Sequence, residues 1–169
     1  MESEKLQGIT VVEMKGLIET SMWFWGSLHQ RWRSAVEEKY GLNDVRMIEL
    51  KFIGEAGRAH AKRIKKIFNI GEGISECIKA SAYAPENFIE DFRIETQDEK
   101  HAIFYNPSCT AQKARVKRCL SEYPCKESGI LYFSNFFNEI DENITFSCIV
   151  APPDDHPDDC YCKWRIDVS

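Results

Sequence analysis

An α+β fold, with N-terminal helices packed on an antiparallel β-sheet, is predicted by three features of the sequence. Apolar residues recur every three or four positions through the first half, the period of amphipathic helices. After Pro85 the pattern changes to short stretches in which apolar and polar residues alternate, the period of strands. No internal repeat, low-complexity tract or long linker interrupts the 169 residues, so one domain over 1–169 is expected.

The first helix is carried by Met14, Leu17, Ile18, Met22, Trp25, Leu28, Trp32 and Val36, and Gly41 supplies its stop. A second helix opens at Asn43 and runs along Val45, Ile48, Phe52, Ala56, Ala59, Ile64 and Ile67 to Gly71 and Gly73. A third covers Glu72 to Ala82, short of Pro85, because a residue preceding proline avoids helical geometry. Phe92 to Glu95 and Ala102 to Tyr105 read as a hairpin. Ala111 to Leu120 and Glu127 to Ile140 read as two further helices. Finally Ile144, Phe146, Cys148 and Val150 alternate with polar residues, as do Cys160, Cys162, Trp164, Ile166 and Val168, giving a last hairpin.

Composition narrows the functions. Apolar residues are 43 %, charged residues 29 % and the formal net charge −5, which disfavours nucleic acid and anionic membranes as partners. The opening MESEKLQGITVVEMK lacks a basic n-region and a continuous apolar run, so neither a secretory signal nor a membrane span is expected, and the cytoplasm is the expected location. Seven cysteines in a reducing compartment leave metal ligation, redox chemistry or plain burial.

The last hairpin directs attention to a cysteine site. With a loop over 151–159, Val150 pairs with Cys160 and Cys148 with Cys162. Directly opposed Cβ atoms lie roughly 4.5–5.5 Å apart, within reach of one ion through Zn–S bonds of about 2.3 Å. Cys109 and Cys125, each beside a proline-marked turn, are candidates to complete a tetrahedral set with Cys148 and Cys162. Zinc suits four thiolates; an iron–sulfur cluster is the alternative, and buried, unliganded thiols are the other reading. Cys77 and Cys119 are expected to be structural, and His156 to be solvated among carboxylates.

Ser147-Cys148, Pro152-Pro153-Asp154, Asp159 to Ile166, Tyr123-Pro124-Cys125-Lys126 and Val36 to Gly41 resemble cytosolic proteins related to L-2-amino-thiazoline-4-carboxylate hydrolases. More remotely, the succession Cys125, Cys148, Cys162 is similar to vinyl-reductase-type (4-vinyl reductase) ligand-sensing domains, which are α+β and bind zinc through C-terminal cysteines and a carboxylate. That resemblance implies Cys125, Cys148 and Cys162 as ligands. It puts Thr145 where the sensor pattern has Glu, so Cys109 stands in as fourth ligand.

Away from the cysteines, Trp25, His29 and Trp32 fall at i, i+4 and i+7, an imidazole between two indoles that lines a small-molecule pocket or forms part of a core stripe. His60 on the second helix is a further histidine of this kind. The run Arg58, Lys62, Arg63, Lys65 and Lys66 reads as a solvated face, and Asp154, Asp155, Asp158 and Asp159 lack the glycine of a calcium loop. Three functions follow. The first is a zinc protein that senses or binds a small molecule. The second is a hydrolase opening a small cyclic amidine or amide, with Cys109 or Cys125 activated by Lys113, Arg115 or Lys126. The third is a protein-binding scaffold, with homodimerisation left open.

Overall fold

The computed structural model describes residues 6–169, without the side chains of residues 85 and 86; the acidic opening residues 1–5 lie outside it. Six helices and four strands follow in the order α1 (Val11–Tyr40), α2 (Leu42–Leu50), α3 (Ile53–Phe68), α4 (Ile74–Ser81), β1 (Arg93–Thr96), β2 (His101–Asn106), α5 (Thr110–Lys117), α6 (Lys126–Ile140), β3 (Ile144–Val150) and β4 (Cys162–Val168). A 3-10 turn at Pro85–Phe88 separates α4 from β1. The α+β class expected from the periodicities is therefore present, with one antiparallel sheet in the order β1-β2-β4-β3.

Local chemistry accounts for the helix ends. Thr10 opens α1 with a capping box, its hydroxyl accepting from Glu13 N while the Glu13 carboxylate accepts from Thr10 N at 2.8 Å. Gly41, at φ 88°, adopts a conformation that other residues rarely take and turns the chain into α2. The single long second helix expected over 43–67 is broken into two: Lys51 N bonds back to Ile48 O and Glu49 O, and Phe52 leaves helical geometry at φ −125°.

The core lies between one face of the sheet and α6, with α3 and α4 behind. Phe104, Phe146, Trp164 and Ile166 from the sheet meet Phe133, Phe136, Phe137 and Ile140 from α6. The aromatic rings contact one another repeatedly; Phe92 stacks on Phe104 at 4.6 Å and Phe133 meets Phe104 edge-on at 5.1 Å. Two glycines let backbones come close. A Cβ on Gly57 of α3 would run into the Tyr132 carbonyl of α6, and one on Gly129 would meet the Trp164 ring. His60 of α3 and Tyr132 of α6 join across this contact at 2.8 Å. By contrast α1 has no buried residue.

Candidate functional site

The final hairpin differs from its expected register. Cys148 pairs with Trp164, and Val150 pairs with Lys163 across an irregularity at Ile149. Cys162 instead faces Asn106 of β2, because β4 is an inner strand that begins at Cys162 and not at Cys160. Cys148 and Cys162 are thus two residues out of opposition. Cys148 lies against Lys126 and Asp154, which themselves form an ion pair at 2.8 Å.

Cys109, ahead of α5, Cys125, at the start of α6, and Cys162 do feel one another's charge. Burial comes first in each case, and it pushes their thiols up to about 11, 12 and 12, so all three keep their protons at neutral pH. Among the described residues no group of three or more His, Cys, Asp or Glu is arranged to hold a metal ion. The expected cluster of Cys109, Cys125, Cys148 and Cys162, and with it zinc or an iron–sulfur centre, is overturned. The physical reason is the shifted register, which takes Cys148 out of opposition with Cys162. All seven cysteines are free.

The same burial works against a cysteine nucleophile, which needs a lowered pKa. The cations expected to lower it are engaged elsewhere: Lys113 donates to Ser108 Oγ at 2.7 Å, Arg115 to Glu37, and Lys126 to Asp154. Cys77 is buried, as expected of a thiol on an apolar helix face. Cys119 lies just beyond α5, exposed, at φ 58°, and not in mid-helix. Alkylation of the folded protein at pH 8 is accordingly expected to label Cys119 first and to leave Cys77, Cys125 and Cys162 unmodified until denaturant is added. Mass mapping of the modified peptides checks this order.

His156 is not solvated: its Nε2 meets Glu122 at 2.9 Å and its Nδ1 meets Pro157 O at 3.0 Å. These contacts raise its pKa, led by the Pro157 carbonyl. In the basic run, Lys65 donates to the last carbonyls of α6, Glu139 O and Ile140 O, and Arg58 to Asn135.

A different cluster stands out on α1. Trp25, His29, Arg33 and Glu37 are spaced by four, so they form a ladder along one stripe of the helix. Trp25 stacks on His29 with centroids 5.5 Å apart. Arg33 Nη2 contacts Glu49 Oε2 of α2 at 3.3 Å, and its guanidinium lies 3.6 Å from the centre of the Tyr123 ring. Tyr123 donates its hydroxyl hydrogen to the same Glu49 oxygen at 2.6 Å. Glu37 is gripped by both Nη atoms of Arg115, at 2.5 and 2.8 Å. Gln112 of α5 holds the Tyr123 backbone from both sides, accepting from its N and donating to its O, each at 2.8 Å.

The electrostatics of this seam are unusual for a surface helix. Glu49 is only 5 % exposed, a buried carboxylate with one cationic and one phenolic partner. Burial, reinforced by the Arg33 charge, lowers the His29 pKa, so the imidazole is neutral at pH 7 despite Glu49. Burial likewise pushes the Tyr123 phenol up to about 12, where it keeps its proton. A protonated phenol, a guanidinium and a carboxylate therefore meet in one place, and a neutral imidazole stands one helical turn before the guanidinium on α1. Of the residues expected to line a pocket, Trp25 and His29 stack on each other, whereas Trp32, one heptad beyond Trp25, has no ring partner among the described residues; both indoles are 43 % exposed.

Arg33, Glu49 and Tyr123 escaped the sequence reading. The four-residue spacing of His29, Arg33 and Glu37 was the available signal, but the apolar repeat through Trp32 masks it. Apart from the seam, a cavity of about 300 Å³ is lined by Ser81 of α4, Asn87, Glu90, Asp91, Phe92 and Ile94 of β1. Its rim residue Glu90 caps the start of α5 through Thr110 N at 2.7 Å, and the adjoining Ile89 sits where a Cβ on Gly26 of α1 would go.

Fold and seam together define an α+β protein with a buried polar cluster between α1, α2 and the segment ahead of α6. The chain belongs to a family of unknown function (DUF6125), which it matches over residues 8–168. No curated protein and no solved structure matches it. Among the described residues, no helix is long and apolar enough to cross a membrane.

Proposed function

We propose that this protein binds a small organic molecule bearing a carboxylate at the α1–α2 seam, and that His29 and Tyr123 act on it as base and proton donor. The observation that carries this reading is the burial of Glu49 between Arg33 and Tyr123 with an uncharged His29 alongside. Buried charges are costly and groups with shifted pKa values concentrate at working sites. Trp25 backs the imidazole and fixes its orientation. Arg33 offers the planar fork that suits a carboxylate. A base that is neutral at pH 7 and a phenol that is not ionised are the protonation states that general acid–base catalysis requires.

The resemblance to proteins related to L-2-amino-thiazoline-4-carboxylate hydrolases supplies the ligand class: a small cyclic amidine with a carboxylate, opened by water. The remoter likeness to vinyl-reductase-type sensor domains is compatible with ligand binding and contributes nothing to the chemistry. Seven free cysteines favour a cytoplasmic setting. The test is to incubate the purified chain with L-2-amino-thiazoline-4-carboxylate and follow ring opening by NMR. Turnover is expected, with His29→Gln reducing it about 100-fold or more, in line with the loss of a general base. Absence of both binding and turnover, or turnover indifferent to His29→Gln, contradicts the proposal.

A further inference from the structure

The least explained feature of the molecule is the outer side of α1. This helix of 30 residues has no buried residue, and its side-chain hydrogen bonds to the rest of the described chain come only from Arg33, Ser34 and Glu37. Yet it carries Val11 at 73 % exposure, Phe24 at 60 %, Leu28 at 54 % and both Trp25 and Trp32 at 43 %. Helical stability in proteins comes mostly from packing an apolar face, yet more than two fifths of each of these side chains is left uncovered by the described residues.

The exposed residues are not scattered. Val11, Ile18, Trp25 and Trp32 repeat every seven positions, and Met14, Ser21, Leu28 and Ala35 repeat every seven between them. This is the a/d seam of a coiled coil over four heptads, with Leu17 and Phe24 on its flank. It lies on a different arc from the stripe of Gly26, Arg33 and Glu37 that faces the body.

We infer that α1 pairs with α1 of a second copy of this chain, antiparallel, about a two-fold axis near residue 23. A two-fold contact requires that residue i meet j while j meets i. Positions summing to 46 satisfy this in every layer: Val11 with Ala35, Met14 with Trp32, Ile18 with Leu28 and Ser21 with Trp25. Each tryptophan then meets a small or flexible side chain, and Ile18 meets Leu28. A parallel pairing would instead set Trp25 on Trp25 and Trp32 on Trp32, and would bring both bodies to the same end.

Extent and charge agree with this occupant. The seam and its flank leave seven large apolar side chains each 42 % or more exposed along the length of the helix, the apolar centre that an interface between copies needs. The helix carries four carboxylates, Glu13, Glu19, Glu37 and Glu38, against four cations, Lys15, Arg31, Arg33 and Lys39, so two copies meet without net repulsion although each chain has a charge of −5. The same balance, with no excess of cations on the polar face, fits an anionic bilayer poorly.

The experiment is the solution mass of the full chain by light scattering on a sizing column, with wild type, Ile18→Glu/Leu28→Glu and Trp23→Glu, each checked for native helix content by circular dichroism. Wild type and Trp23→Glu, whose change lies on the opposite arc, are expected at twice 19.6 kDa, and the double variant at 19.6 kDa. Register is read by oxidising Ile18→Cys and Leu28→Cys proteins: a cross-link between the two proteins in a mixture, and little within either alone, is expected. A monomeric wild type overturns the inference, whether or not it binds vesicles of anionic phospholipid. So does a folded double variant that keeps the wild-type mass, or Ile18→Cys cross-linking preferentially to itself.

Discussion

Arg33→Ala is expected to lower the unfolding free energy by about 3 kcal/mol, because it leaves the buried Glu49 carboxylate without its cation. The consequence reaches beyond one ion pair. Arg33 also covers the Tyr123 ring, and Tyr123 is held at its backbone by Gln112, so α1, α2, α5 and the segment before α6 meet on this one side chain. For a chain of this length the change corresponds to a fall in melting temperature of about 10 °C. Combining Arg33→Ala with Glu49→Gln is expected to cost less than Arg33→Ala alone, since the amide keeps the shape and leaves no unpaired charge. Thermal melts of the two variants check both statements; equal losses would locate the cost in packing and not in charge.

Gly57→Ala is expected to be comparably damaging, by about 3 kcal/mol, for a steric reason. The added methyl meets the Tyr132 carbonyl, which belongs to the backbone of α6 and cannot swing aside as a side chain would. The two helices must separate, and α6 carries Phe133, Phe136 and Phe137 at the centre of the core. Gly16→Ala in α1 is the matched control: nothing lies within 4 Å of its added carbon, so it should stabilise the helix by roughly 0.5–1 kcal/mol. Urea unfolding midpoints of the two variants should therefore move in opposite directions.

These effects show which parts of the molecule a linear reading can reach. The 3.6-residue period located α1 and α6 to within a few residues, and the alternation located all four strands; in α6 and the inner strands the pattern is imposed by burial on one side of a regular element. The break between α2 and α3 was not legible, since the apolar period runs on through Ile48, Phe52 and Ala56, no proline marks it, and the nearest glycine, Gly54, lies inside the first turn of α3. The register of the last hairpin was misread for a related reason. Alternation assigns a face but not a partner, and the irregularity at Ile149 together with the start of β4 at Cys162 shifted Cys148 by two residues. The metal site rested on that register and fell with it.

The site followed the same division. Trp25 and His29 were visible as neighbours on one helix. Glu49 was not, because a carboxylate in an amphipathic helix looks like any solvated one until a tyrosine from 74 positions away closes over it. Two patterns overlap on α1: His29, Arg33 and Glu37 run toward the polar seam, Trp25 and Trp32 recur in the outward heptad, and the sequence periodicity merges them because Trp25 is adjacent to both.

The most direct test of the acid–base seam is an NMR titration of the four histidines in the full chain, with and without L-2-amino-thiazoline-4-carboxylate. Without ligand, His29 and His60 should titrate below the ordinary 6.5 because both are desolvated, and His156 above it because a carbonyl and a carboxylate face it. On adding the ligand, the His29 resonances and midpoint are expected to move, while those of His156 stay in place. An unmoved His29 under saturating ligand, or a His29 midpoint above 6.5 in the free protein, would contradict the account.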